Sequence, residues 1–456
     1  MMAALTRRQF GLAVGAGASA AFLRGENGSA GVRPNVLLLL TDQQSHAAAS
    51  WTTPRVRTPA IDSLAADGVT FYQSHCTYPV CSPSRSSLFT SRMPHETGVR
   101  ANGGSIAAGI PTVGELFRAA GYDTPYAGKW HLPKMFEGMT GFEPIAGGQP
   151  LGAQMDAGVA TACIEYLKGS RGRPFLIVAS FMNPHDICEW IRGYEGSKKC
   201  DVQACPSPPL NMAVDPDEPE YMRHYREVGN SPKDRPLSKS ASWTTDDFRT
   251  YLDAYYRFVE DADRQVGRIL SALRASGLYQ NTLVIMTSDH GEGMGAHHWV
   301  EKAAFWEETV KVPLVVAGHG VRRRGAQDVA SLVSGLDIFP TICDYTGVAP
   351  PPLMRGRSLR PAIDGSVFDR RFVVSELSRY GGEGRQGRML RTKRHKYVVF
   401  NGGRRPEQLF DIDHDPGEMR NLASDAAFKT VLREHRELLA KWVAETADDF
   451  AIGNSA

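Results

Sequence analysis

Three short runs in this chain are apolar almost without a break, and they constrain its fold more than any other feature. They are Pro34-Asn35-Val36-Leu37-Leu38-Leu39-Leu40, Phe175-Leu176-Ile177-Val178-Ala179-Ser180-Phe181 and Thr282-Leu283-Val284-Ile285-Met286-Thr287-Ser288. Each is too short for a helix buried on every side, and each reads as a central parallel strand covered on both faces. Each also ends in polar residues: Thr41-Asp42-Gln43-Gln44, Asn183-Pro184-His185-Asp186 and Asp289-His290-Gly291. Open α/β sheets bind ligands at the carboxyl ends of their strands. These three ends are the first place to look for a site.

Helical segments fall between the runs. Thr58 and Pro59 begin a helix that Gly68 stops, and residues 112–120 form another closed by Gly121. Residues 122–127 read as a strand running into Gly128-Lys129-Trp130-His131. The clearest helix follows Thr244, with Phe248, Leu252, Tyr255, Val259, Ala262, Val266, Leu270 and Leu273 at three- and four-residue spacing. Residues 311–317 and a helix over 337–343 complete the β/α series. From 198 to 243 the period disappears, and that stretch is expected to be a long rim insertion.

Pro350-Pro351-Pro352 marks a boundary. Beyond it come short strands near 372–375, 389–392 and 396–400, then a helix from about Asp425. The expected class is α/β, a large mostly parallel sheet sandwiched by helices over 34–349. A smaller C-terminal α+β domain, antiparallel sheet plus helix, follows over 350–456.

Charge narrows the partners. Fifty-two basic and fifty acidic residues nearly cancel, so neither nucleic acid nor a membrane surface is implied. Residues 1–30 contain Arg7-Arg8 ahead of a weakly apolar, Gly/Ala-rich run too short to span a bilayer comfortably. That resembles a twin-arginine export signal and implies a periplasmic or secreted protein without a stable membrane anchor. Of seven cysteines, Cys200 and Cys205 are the expected disulfide pair.

One cysteine stands apart, in Cys81-Ser82-Pro83-Ser84-Arg85. Pro83 keeps Ser82 out of helical geometry, while the following run to Thr90 can open a helix. Cys81 would then sit just before a helix N-terminus, where free N–H groups and the dipole favour an anion. The stretch resembles the sulfatase signature Cys-x-Pro-Ser-Arg, whose cysteine is oxidised to formylglycine by a formylglycine-generating or sulfatase-maturating enzyme. Relatives usually continue Leu-Thr-Gly-Arg, whereas this chain has Leu88-Phe89-Thr90-Ser91-Arg92, one residue longer and without the glycine.

The resemblance extends along the chain. It includes Gly128-Lys129-Trp130-His131-Leu132, Asn183-Pro184-His185 and Ser288-Asp289-His290-Gly291-Glu292, then His297, Lys302 and the segment 409–423. It implies the alkaline-phosphatase-like fold and a type I, formylglycine-dependent sulfatase acting on a sulfated small molecule or glycan. By resemblance, Asp42, Gln43, Asp289 and His290 ligate a divalent metal together with modified Cys81. Relatives often carry Asp at the position of Gln43 and Asn at that of His290. The resemblance favours Ca2+, while the neutral amide and the softer imidazole leave Mn2+ or Mg2+ open.

The same resemblance has Arg85 and His131 orienting and deprotonating the nucleophile and Lys129 and Lys302 binding sulfate. His185 or Lys302 would protonate the leaving alcohol, and Asp289 would take the nucleophile's proton. His298 and Glu301 are read as loop surface, and Asn102, Trp190 and Trp299 as candidates to line a substrate pocket. The alternatives are a phosphonate monoester or phosphodiester hydrolase of the same superfamily and a non-catalytic sulfoglycan-binding protein.

Overall fold

The three apolar runs become adjacent strands at the centre of one sheet. The structure is a computed structural model that describes residues 33–133, 139–170, 172–193, 201–228, 240–378 and 386–451. In chain order the first strands are β1 (Asn35–Asp42), β2 (Gly68–Phe71), β3 (Ser74–His75), β4 (Pro125–Gly128) and β5 (Glu143–Ala146). They continue as β6 (Leu176–Pro184), β7 (Thr282–Ser288), β8 (Leu314–Gly318), β9 (Ala326–Asp328) and β10 (Val333–Ser334). The last four are β11 (Phe372–Ser378), β12 (Gln386–Thr392), β13 (His395–Phe400) and β14 (Glu407–Asp411). Eight of them make one sheet in the order β5-β4-β6-β1-β7-β8-β2-β9, parallel except that β8 runs against β7 and β2. Strands β3 and β10 form a separate short pair.

Alternation within β1 shows why the run has no polar face. Leu37 and Leu39 pack with Val159 and Cys163 of the helix Gly152–Lys168 and with Val266 and Leu270 of the helix Thr245–Ala275. Val36, Leu38 and Leu40 turn to the opposite layer, with Phe89, Phe117 and Phe339. Both faces are covered, so every position on the strand favours an apolar side chain. The long helix begins as its sequence implies: the Thr244 hydroxyl accepts from the Asp247 N–H in a capping box.

The C-terminal part is an antiparallel sheet, β11-β12-β13-β14, with the helix Lys429–Thr446 packed on it through Leu432 and Leu439. The expected structureless insertion needs a correction, because it carries the helix Glu220–Val228. Its Tyr221, Met222 and Tyr225 are buried, with Tyr221 stacked on Phe400 and Tyr225 on Trp299. Those apolar residues make a single turn among charges, too short a pattern to register as a period.

Cys205 is disulfide-bonded, and Cys76, Cys81, Cys163, Cys188 and Cys343 are free and buried. Cys200 and the twin-arginine segment lie outside the described residues. No described helix is long and apolar enough to cross a membrane.

Candidate active site

Strand register brings the polar ends together. Thr41 pairs with Ser288, so β1 and β7 end level, and Asp42 and Asp289 leave the sheet side by side. On the other flank Asp42 pairs with Pro184, and Gly128 pairs with Ser180. His185 after β6 and Lys129 after β4 therefore reach the same edge. Cys81 arrives separately, as the first residue of the wholly buried helix Cys81–Thr90, which corrects the expected later start: Pro83 lies in the first turn, where its missing N–H is no loss, and Ser82 is helical.

The thiol is crowded by cations. Cys81 Sγ lies 3.3 Å from Lys302 Nζ, 3.7 Å from Lys129 Nζ and 3.2 Å from His290 Nε2, with Asp42 Oδ1 at 3.7 Å. Burial and Asp42 push the thiol's pKa up, but Lys129, Lys302 and His290 outweigh them and hold it well below the ordinary value. Burial likewise disfavours the Asp42 carboxylate, yet Lys129, His185 and Arg85 keep it ionised, with Lys129 Nζ at 2.7 Å from Oδ2. Burial, with Asp42 nearby, moves Asp289 upward. His185 is driven well below the usual imidazole value by burial and by the two lysines.

Arg85 is fully buried and brackets the two aspartates. Its Nε donates to Asp289 Oδ2 at 2.8 Å and its Nη2 to Asp42 Oδ2 at 3.0 Å. Its Nη1 donates to the Lys129 carbonyl at 2.6 Å and to Ser180 Oγ at 2.8 Å. A planar fork with fixed donors suits this task better than a lysine would.

The residues present suit a divalent cation. Ligand atoms of Asp42, Cys81, Asp289 and His290 all lie within 4.8 Å of one another. His290 Nδ1 sits 2.8 Å from the Gly291 carbonyl, which only accepts, so Nδ1 carries the proton and Nε2 keeps its lone pair for the cluster. Gln43 stands beside them in the left-handed region, with φ 72°. Its backbone N–H donates to Asp289 Oδ1 at 3.1 Å, its carbonyl accepts from the Tyr255 hydroxyl at 2.8 Å, and its Oε1 accepts from Lys302 Nζ at 2.9 Å.

The remaining sequence candidates divide. His131 has φ 57° and a buried Nδ1 with no hydrogen-bond partner among the described residues, while its carbonyl accepts from the Ser82 hydroxyl. Asn102 Oδ1 accepts from the Ser82 N–H at 3.0 Å, next to Cys81. Trp299 needs a correction: it is fully buried, stacks on Tyr225 and donates from Nε1 to the Lys302 carbonyl at 3.1 Å. It packs the loop instead of facing a ligand. Trp190 is half-buried against Trp243 and Tyr251.

Glu301 is not loop surface either, being 2 % exposed, and His298 is partly buried with Nε2 bonded to the Ser240 carbonyl. His297 stacks on Trp306 with ring centroids 3.7 Å apart. Sequence reading assigned no role to Ser180, Tyr251, Tyr255 or Glu292. Tyr255 fell on an apolar helix face, Tyr251 lay outside that face, and Glu292 was visible only as the last residue of the motif Ser288-Asp289-His290-Gly291-Glu292.

Comparison with known proteins agrees with this layout. Residues 34–348 match the family described as Sulfatase, and residues 295–445 match N-sulphoglucosamine sulphohydrolase, C-terminal. The chain is 31% identical over 443 residues to a Delta 4,5-hexuronate-2-O-sulfatase of Bacteroides thetaiotaomicron, covering 92% of this chain and 90% of the relative. Among solved structures it is similar to a 2-O GAG sulfatase, with TM-score 0.83, 30% identity and coverage of 91% and 93% of the two chains. A phosphonate monoester hydrolase of Agrobacterium radiobacter is also similar, with TM-score 0.75, 25% identity and coverage of 91% and 96%.

Proposed function

This chain belongs to the sulfatase family, within the alkaline-phosphatase-like superfamily, and hydrolyses sulfate esters; we propose that its substrate is a sulfated glycan and that modified Cys81 is the nucleophile. The observation that carries the reading is the cationic nest around Cys81, at the buried meeting point of four strand ends. A sulfate monoester has charge on three oxygens, and Lys129 and Lys302, 3.7 and 3.3 Å from Sγ, are the cations to take it. As the hydrated aldehyde, residue 81 would offer one hydroxyl to attack sulfur and a second whose deprotonation expels sulfate.

The chain's own groups share the remaining work. Asp42, Gln43, Asp289 and His290, with residue 81, would hold the divalent metal, which polarises the sulfate oxygens when bound. Calcium remains the first candidate, with manganese or magnesium open because of the imidazole. Arg85 fixes both aspartates, and through them the nucleophile's surroundings. Asp289 is assigned the proton of the attacking hydroxyl, and His131, whose Nδ1 has no partner among the described residues, that of the second hydroxyl.

Burial beside Lys129, which pairs with Asp42, and Lys302, which donates to Gln43, disfavours the charged form of His185. A sulfate ester bound between them offsets their charge and raises its affinity for a proton, which suits His185, or Lys302, to protonate the leaving alcohol. A maturating enzyme would oxidise Cys81, and the twin-arginine segment would direct the protein to the periplasm or the medium.

The hexuronate relative makes a 2-O-sulfated unsaturated uronide the first compound to test. Purified protein is expected to release inorganic sulfate from it faster than it cleaves a phosphonate monoester or a phosphodiester. Preference for the phosphorus esters would move the assignment to the hydrolase seen among the structural neighbours. Peptide mass spectrometry should find residue 81 as the aldehyde in active preparations; a thiol at full activity would contradict the mechanism.

A further inference from the structure

Glu292 has no part in the scheme above, yet it touches both arms of the site. It is wholly buried, and its Oε2 accepts from Gln43 Nε2 at 2.5 Å. Its Oε1 accepts from the Tyr251 hydroxyl and from the backbone N–H of Glu301. Donors from the end of β1, the long helix and the loop after β7 thus converge on one carboxylate. On its far side Gln43 Oε1 accepts from Lys302 Nζ at 2.9 Å, and that Nζ lies 3.3 Å from Cys81 Sγ.

A primary amide is ambiguous, since a half-turn exchanges its donor and acceptor ends. The Lys302 ammonium only donates. Were the Gln43 amide reversed, two donors would face each other across 2.9 Å. The Glu292 carboxylate accepts from three donors, so it admits a single arrangement of the amide: Nε2 toward itself and Oε1 toward Lys302. The same carboxylate also fixes the N–H of Glu301, the residue before Lys302.

We propose that Glu292 is a positioning residue that sets the Gln43 amide oxygen and the Lys302 ammonium beside Cys81, with Tyr251 holding the carboxylate in place. It rests on the reading of Gln43 as a metal ligand and Lys302 as a sulfate-binding group. One buried carboxylate then ties metal affinity to substrate binding.

An exchange of side chains tests this. Glu292→Gln keeps the shape but adds an N–H among donors, and Gln43→Glu sets two carboxylates against each other. In the double variant Q43E/E292Q the amide at position 292 donates to the carboxylate at position 43, whose other oxygen faces Lys302. Calcium chloride is titrated into the metal-free full chain by calorimetry, and kcat and KM for sulfate release are measured.

E292Q is expected to lose about 10–100-fold in calcium affinity and to raise KM, and the exchange to recover most of that loss. E292Q binding calcium like the parent, or an exchange that recovers nothing, overturns the proposal. Should E292Q fail to fold, Tyr251→Phe decides: weaker calcium binding supports the role and unchanged binding overturns it. A parent that releases no sulfate would remove the proposed function itself; a parent that does, with indifferent variants, removes only this inference.

Discussion

Two buried charge clusters in this molecule are built on opposite plans. Behind the site, Lys396 of β13 lies between two carboxylates, 2.7 Å from Glu418 Oε1 and 3.1 Å from Glu307 Oε1. The cation there is enclosed by opposite charge, and the cluster joins the C-terminal sheet to the loop after β7. Around Cys81 the balance differs: Arg85 pairs with both Asp42 and Asp289 and Lys129 with Asp42, yet Lys129, Lys302 and His290 also gather about one sulfur. Like charges held side by side in a buried space do not stabilise a fold. The difference fits the proposed function: the first cluster is closed by its own ion pairs, while the second would be completed by a divalent cation and an anionic ester.

The largest expected effect lies in the second cluster. Cys81→Ala should lower turnover by roughly 10⁴-fold or more, and Lys302→Ala by roughly 10²–10³-fold. Neither should change the melting temperature much; calorimetry beside sulfate release checks this. A collapse of the fold in both variants would mean that the crowded cluster is structural after all.

The mirror experiment is Lys396→Met. It leaves two buried carboxylates facing each other and should destabilise the protein by about 3–5 kcal/mol in chemical denaturation, with calcium affinity unchanged. Loss of calcium binding at full stability would erase the distinction between the clusters.

The smallest effect sharpens it. His95 Nδ1 lies 2.5 Å from Glu376 Oε1, and Nε2 lies 3.1 Å from the Thr446 carbonyl, across the junction with the C-terminal sheet. Burial works against its charge, but Glu376 wins and the imidazole's pKa is raised. A raised folded-state pKa contributes stability that is fully present below the unfolded value of about 6.5 and is lost as pH rises through the folded value. The melting gap between parent and His95→Asn, on the order of 1 kcal/mol, should be widest below about pH 6.5 and narrow above it. A gap that widens with pH would show that the charge plays no part.

Much of this protein was legible before any coordinates. The apolar runs fixed β1, β6 and β7 because strands covered on both faces have no freedom to carry polar side chains, and their polar ends marked one sheet edge. Cys81 to Arg85 gave the family resemblance because that motif is local, read within one turn. The helix Glu220–Val228 escaped because its few apolar residues make one turn, and Glu301 and Trp299 escaped because a loop near a site can be buried as deeply as a strand.

Tertiary structure alone decided which charges meet. Arg85 and Asp289 are separated by 204 residues, and Gln43 and Glu292 by 249; no spacing rule links them. Sequence period reports which face of an element is apolar, because that depends on neighbours within a few residues. A hydrogen bond depends on position to a fraction of an ångström, and that is set only when register aligns Thr41 with Ser288 and the helices close over both faces.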